Sequence, residues 1–324
     1  MKKQVVLTRR LQDECMKELE KHFQLIVVSE DQVPKREDLL AHLQGKEALV
    51  CTVTEMIDQE LIEACPDLRI ISNYGVGFNN IDVSATNRRG ILVTNTPDVL
   101  TDATADMTWA LILAVARRVV EGDSLVRQGQ WNGWSPTFML GGDVTGKTLG
   151  IIGMGRIGQA VAKRALGFQM KVLYYSRTRL PSHLEKELNV VYCELDQLLR
   201  QADFVSIHTP YSSLTHHLIG EKQLMEMKPT AYLINTARGA VVDELALIKA
   251  LKEKQIAGAG LDVFEHEPYV PQSLCDMDQV VLAPHLGSAT RDSRIKMGEI
   301  VVQNLIAYFQ GKKPPCLVNQ EIWK

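Results

Sequence analysis

From Gln4 to Asn95, short apolar runs alternate with stretches whose apolar residues recur at helical spacing. VVLT, LIVVS, ALVCTV, LRIISNY and ILVTN have strand length and β-branched content, whereas Leu11 to Phe23, Arg36 to Leu43, Ile57 to Cys65 and Ile81 to Arg89 carry the helical period. Such alternation predicts a parallel sheet covered on both faces. A long helix is expected next, from Thr101 as candidate N-cap to about Glu121, and its centre, MTWALILAVA, is apolar on nearly every side. That pattern predicts burial against two domains or against another subunit. Gly129 to Gly142 has no clear period and holds Trp131, Trp134, Phe138 and Met139, which reads as a dimer arm or as a flap folded onto its own domain. Seven further runs of strand character follow: TLGIIGM, KVLYYS, VVYC, DFVSIHT, AYLINT, AGLDVF and QVVLAP. Helices are expected between them, the clearest at Glu244 to Lys252, and a last one from Thr290 to Phe309 ended by Pro314-Pro315. The terminal helix is expected to return to the first domain, so that residues 1–99 with 285–324 form one domain and 100–284 the other, with a dimerisation helix and arm over about 101–145.

The apolar run Leu149, Ile151, Ile152 leads into Gly153-Met154-Gly155-Arg156-Ile157-Gly158 and then into a helical pattern. Glycines at a strand-to-helix turn are the fingerprint of a dinucleotide site. Gly153 makes the tight turn, Gly155 admits a pyrophosphate, and Gly158 lets helix and strand approach. The positive end of the helix would meet the phosphates. Where such units usually carry an acidic residue for the ribose hydroxyl, this chain has Ser176-Arg177-Thr178-Arg179. A hydroxyl flanked by guanidinium groups can hydrogen-bond a 2′-phosphate that a carboxylate would repel, so NADP(H) is expected to be preferred, with NAD(H) possible.

Composition narrows the class further. The chain has 324 residues, 45% of them hydrophobic and 23% charged, which is enough for two soluble domains. A net charge of −3 gives no electrostatic footprint for nucleic acid or an anionic membrane. Cys15, Cys51, Cys65, Cys193, Cys275 and Cys316 are scattered without metal-ligand spacing, so reduced thiols, no metal and a cytoplasmic location are expected. No run has the length of a signal-peptide core or a membrane span.

Three residues stand at strand ends where a nicotinamide ring would lie: Arg238, Glu267 and His285. Reduction of a 2-oxo acid needs its carboxylate clamped, its carbonyl polarised and a proton delivered to oxygen. Arg238 suits the first two tasks because its planar fork holds a carboxylate bidentately. His285 suits the third, and Glu267 would fix its tautomer and favour its charged form. The turn Tyr74-Gly75-Val76-Gly77, at the end of a strand, is a candidate anion site or a plain turn.

The segments GVGFNNID, GKTLGIIGMGRIGQ, LINTARGAVVDELAL, AGAGLDVFEHEP and APHLGSAT together resemble the D-isomer-specific 2-hydroxyacid dehydrogenases over essentially the whole chain. Within that family YYSRT, Trp134 and the length are most similar to glyoxylate/hydroxypyruvate reductases. The resemblance implies an α/β fold of two doubly wound parallel-sheet domains, a Rossmann nucleotide-binding domain inserted into a flavodoxin-like substrate domain. It implies that Arg238, with the amides of Val76 and Gly77, binds substrate, that Ser288 edges it, and that Trp134 reaches the partner's active site in a homodimer. Gly153, Gly155, Arg156, Ile157 and Gly158 would contact the pyrophosphate, and Ser176, Arg177 and Thr178 the adenosine ribose. Thr236, Ala237, Arg238, Asp262 and His285 would face the nicotinamide. Val53 stands where relatives often carry Leu, which implies a roomier wall. The expected activity is reduction of glyoxylate and hydroxypyruvate to glycolate and D-glycerate. The alternatives are a dehydrogenase for another 2-oxo acid, of 2-ketogluconate, pyruvate or phosphoglycerate type, and a non-catalytic NAD(H)-sensing regulator.

Overall fold

The computed structural model describes residues 2–323. The chain divides into two compact units, 1–100 with 290–324, and 101–289. The second crossing falls between Ala289 and Thr290, not at 284/285, so His285 and Ser288 belong to the second unit.

In the first unit the strands are β1 (Lys3–Arg9), β2 (Phe23–Ser29), β3 (Ala48–Cys51), β4 (Ile70–Asn73) and β5 (Leu92–Thr94). They form one parallel sheet in the order β2-β1-β3-β4-β5. Helices α1 (Asp13–His22), α2 (Arg36–Leu43), α3 (Gln59–Ala64) and α4 (Val83–Arg89) connect them. β3 and β4 are buried along their whole length, as expected of strands covered on both faces. Where the strand order reverses, between β1 and β3, the buried carboxylate of Glu55 gathers the loop: it accepts from Thr8 Oγ1 at 2.9 Å, Arg9 Nε at 3.1 Å and the Thr52 amide at 2.6 Å. A buried charge left unpaired costs several kcal/mol, about 3–5, so this set of donors is what lets it stay.

In the second unit α5 (Thr101–Ala116) and α6 (Val119–Arg127) precede β6 (Thr148–Ile152), α7 (Arg156–Ala165), β7 (Lys171–Tyr175), α8 (Ser182–Leu188), β8 (Val190–Tyr192), α9 (Leu195–Gln201) and β9 (Phe204–Ile207). Then come α10 (Glu221–Met225), β10 (Tyr232–Asn235), α11 (Glu244–Lys252), β11 (Gly258–Leu261), α12 (Gln272–Cys275) and β12 (Val280–Leu282). The sheet is parallel throughout, in the order β12-β11-β10-β9-β6-β7-β8. β6 is an interior strand, paired with β9 on one side and β7 on the other, and the order reverses at it. One core packs Leu198, Leu233, Leu251 and Ile256 on one face of the sheet, and another packs Trp109, Ile112, Val161 and Tyr174 on the other.

The helix expected to run unbroken to Glu121 is instead two helices. Gly142 N–H donates to the Ala116 carbonyl at 2.8 Å, and a side chain on Gly141 would lie 2.4 Å from that oxygen, so the returning chain occupies the space where the next turn would form. Arg118 takes a left-handed conformation, φ 52°, and pairs with Glu121. Thr101 is the first helical residue rather than the cap, and ahead of the apolar centre Asp102 and Asp106 face outward and pair with Arg164. Gly141 and Gly142 return to α5, but the aromatic residues before them do not: Trp131 is 56% and Trp134 82% exposed, and Val119, Val120 and Val126 of α6 are exposed as well.

The last helix, α13 (Arg291–Phe309), is capped by the Thr290 hydroxyl, which accepts from Ser293 N–H at 3.2 Å, and packs on α1 and β4. It is stopped by Gly311 at φ 68°, three residues before the prolines expected to end it.

Candidate active site

The glycine turn is built as its spacing requires. Gly153 has φ 96°, and a β-carbon there would lie 2.7 Å from the His208 carbonyl, while one on Gly158 would lie 2.3 Å from the Gly153 oxygen. Gly155, the residue before α7, has nothing within 4 Å of the same position. Two glycines are therefore fixed by the protein's own backbone, and the third opens onto free space at a helix start that no side chain caps. This fits a pyrophosphate held by α7. Gly158, Val161, Ala162 and Ala165 form the buried face of that helix, which aims its first turn from the end of β6.

The loop after β7 separates its two arginines. Arg179 forms a bidentate pair with Glu185 of α8, Nε at 2.8 Å and Nη2 at 3.0 Å, so it is not the second guanidinium that the sequence offered to a 2′-phosphate. Arg179 and the Tyr174 hydroxyl hold the Glu185 carboxyl down at about 2. Arg177 and Thr178 are exposed and Ser176 is half-buried beside them.

Arg238, Glu267 and His285 follow β10, β11 and β12, adjacent strands of one sheet. Burial pushes the Arg238 guanidinium below its ordinary value, opposed by the charge of Glu267. The turn carrying it is held by Asn235, whose side chain donates to the Arg238 carbonyl at 2.9 Å and accepts from the Ala237 amide at 3.0 Å. The Thr236 hydroxyl meets Thr108 of α5 at 2.9 Å. Gly239 closes against the next segment, since a β-carbon there would lie 1.9 Å from the Phe264 carbonyl carbon.

His285 Nδ1 lies 2.7 Å from Glu267 Oε2, and the Phe264 amide donates to Glu267 Oε1 at 3.1 Å. A carboxylate only accepts, so Nδ1 donates and Nε2 is the ring nitrogen left to pass a proton. Burial alone would raise the Glu267 carboxyl, but the His285 hydrogen bond and charge, the Phe264 amide and Arg238 outweigh it and hold it below the usual range. His285 itself sits at φ 55°, a conformation that costs a histidine about 1–3 kcal/mol. Asp262 offsets that cost: its carbonyl accepts the His285 amide at 2.9 Å, and its fully buried carboxyl accepts Leu286 N–H at 2.6 Å and Gly287 N–H at 2.7 Å. Burial pushes the Asp262 carboxyl up against the pull of those amides. Ser288 follows, half-buried.

Val76 and Gly77 lie in the first unit, on the turn after β4. Asn73 donates to the Gly77 carbonyl at 2.8 Å and Asn95 to the Val76 carbonyl at 2.8 Å, which turns both oxygens inward. Among the described residues the Val76 and Gly77 amides have no hydrogen-bond acceptor. Arg156 and Ile157 open α7, and Trp134 remains on the exposed arm.

Sequence reasoning missed Asn235 and the Thr108–Thr236 pair. Asn235 carried a signal, an amide residue closing an apolar strand where such residues are depleted. The six cysteines are free thiols, and no His, Cys, Asp or Glu cluster of metal-binding kind occurs among the described residues. No helix among them is long and apolar enough to cross a membrane.

Residues 109–287 match the family model for the NAD-binding domain of D-isomer-specific 2-hydroxyacid dehydrogenases. The glyoxylate reductase of Thermococcus litoralis is 53% identical over 99% of this chain and 98% of that protein, and the one of Pyrococcus horikoshii is 53% identical over 100% and 98%. A solved NADPH-dependent glyoxylate/hydroxypyruvate reductase from Sinorhizobium meliloti, in complex with NADP and malonate, superposes with a TM-score of 0.88 at 31% identity, covering 100% of this chain and 99% of that one. With full-length similarity and the strand-end Arg, Glu and His in place, the chain belongs to the D-isomer-specific 2-hydroxyacid dehydrogenases.

Proposed function

We propose that this enzyme reduces small 2-oxo acids, glyoxylate and hydroxypyruvate, to glycolate and D-glycerate, with NADPH preferred over NADH. The observation that carries the reading is the Glu267–His285 pair at 2.7 Å beside a half-buried Arg238 at the ends of three adjacent strands. Arg238 clamps the substrate carboxylate with its planar fork and polarises the neighbouring carbonyl. His285 Nε2 delivers the proton to the carbonyl oxygen, and Glu267 steadies the charged ring until it does. The nicotinamide cofactor, when bound, supplies the hydride. Gly153, Gly155, Arg156, Ile157 and Gly158 are its pyrophosphate residues in this reading. Ser176, Arg177 and Thr178 hold the ribose end, and Thr236, Ala237 and Asp262 the nicotinamide end. Ser288 borders the substrate, and Trp134 limits its size from a partner subunit in a cytoplasmic homodimer. Residues 1–100 with 290–324 are then the substrate domain and 101–289 the nucleotide-binding domain. The relatives' names and the exposed Arg177 support substrate and cofactor respectively.

Initial rates of NADPH and NADH oxidation with hydroxypyruvate, glyoxylate and pyruvate in one buffer test this. Fast NADPH oxidation with the first two is expected. A higher kcat/KM for NADH would overturn the cofactor preference, and no turnover with any of the three would return the chain to a sensing role.

A further inference from the structure

We infer that His217 is a positioning residue for the Glu267–His285 pair, acting through Glu265; the inference rests on the roles proposed above for Arg238, Glu267 and His285. His217 lies in the loop between β9 and α10 with a left-handed backbone, φ 50°. Its amide donates to the Ala240 carbonyl at 2.9 Å, and its Nε2 is 2.8 Å from Glu265 Oε1. Since the carboxylate only accepts, Nε2 is the donor. Glu265 is tied in turn to the start of α11: the Glu244 amide donates to Glu265 Oε2 at 3.4 Å, and the Glu265 amide to Glu244 Oε2 at 3.3 Å. The His217 backbone thus holds the turn that follows Arg238, and its imidazole holds the segment that follows β11.

Those segments have no slack between them. Gly239, next to Arg238, already touches the Phe264 carbonyl, and the Phe264 amide holds Glu267 Oε1. A shift of residues 264–265 therefore shifts Glu267 against His285, although His217 hydrogen-bonds to neither. The surroundings are crowded with charge. Asp243 Oδ2 lies 3.9 Å from His217 Nδ1, the His216 ring stacks on His217 with centroids 3.9 Å apart, and Tyr211 stands edge-on to His216. Burial and the charge of Glu265 push the Glu244 carboxyl up, against a backbone hydrogen bond from Glu265 and the charge of His266. With the His217 donor removed, repulsion among Asp243, Glu244 and Glu265 would drive Glu265 outward and pull on Phe264.

The test is the pH–rate profile of glyoxylate reduction by NADPH. The charged groups facing His285 are Glu267 and Asp262, with Arg238 acting through Glu267. Reduction consumes a proton from the donor, so the rate falls as pH rises. Glu267→Gln is expected to move the falling limb to lower pH. His217→Ala should move it the same way by about half a pH unit or more and lower kcat about tenfold, with little change in KM for NADPH. His217→Gln, which keeps an N–H donor, should return most of both effects. His217→Asn, polar but too short to reach Glu265, should behave like the alanine variant and serves if that one folds poorly. If Glu267→Gln leaves the limb in place, the proposed roles of the site fail and the inference with them. If Glu267→Gln moves it while His217→Ala and His217→Asn lose only Tm or active fraction, the inference alone is overturned.

Discussion

Two arginines, Arg177 and Arg179, stand in the same loop with the same charge, and the fold gives them different work. Arg179 is committed to Glu185 by two hydrogen bonds, and its guanidinium also lies over the Tyr192 ring at 5.4 Å. Arg177 is exposed and makes no hydrogen bond or ion pair among the described residues. Of the two guanidinium groups, only Arg177 is then left for a 2′-phosphate. Arg177→Ala is expected to raise KM for NADPH about tenfold, the worth of one charge-assisted hydrogen bond, with KM for NADH nearly unchanged. Arg179→Ala should leave the ratio of the two close to wild type, and an equal effect from both variants would defeat the assignment. The difference could not be read from the chain, because it depends on where α8 brings Glu185. Arg238, Glu267 and His285 were legible because each ends an apolar strand run. Asn235 and Asp262, which hold the turns in place, work through backbone amides whose directions only the folded turns define.

At the scale of elements, the twelve strands of the described residues were visible as apolar runs, and α2 and α11 match their sequence patterns in length. Helix ends were less legible where the cause lies far along the chain. The break after Ala116 comes from Gly141 and Gly142, and nothing in residues 101–121 announces it. The consequence is that α6 (Val119–Arg127) buries no residue and continues into an arm carrying Trp131, Trp134, Phe138 and Leu140, all exposed. An apolar face of that kind favours a second copy of the chain. Sedimentation equilibrium is expected to give twice the chain mass for the wild type, and Val120→Lys combined with Val126→Lys should shift it toward a single chain. A wild type at single-chain mass would contradict the dimer.

Across the whole molecule, alternation of strand and helix predicted parallel sheets but not the order of their strands. That order decides the chemistry. It sets β10, β11 and β12 side by side, so that Arg238, Glu267 and His285, distant in the chain, stand at the ends of neighbouring strands. It also puts β6 at the point where the order reverses, the place where α/β sheets receive ligands. His285 is the proposed proton donor of that arrangement. The most direct measurement is kcat for glyoxylate reduction by His285→Ala, with the circular dichroism spectrum and NADPH affinity of the variant recorded alongside. The expected result is a fall of roughly 10²–10⁴-fold with fold and cofactor binding intact. Turnover within a few-fold of wild type by the same variant would contradict it.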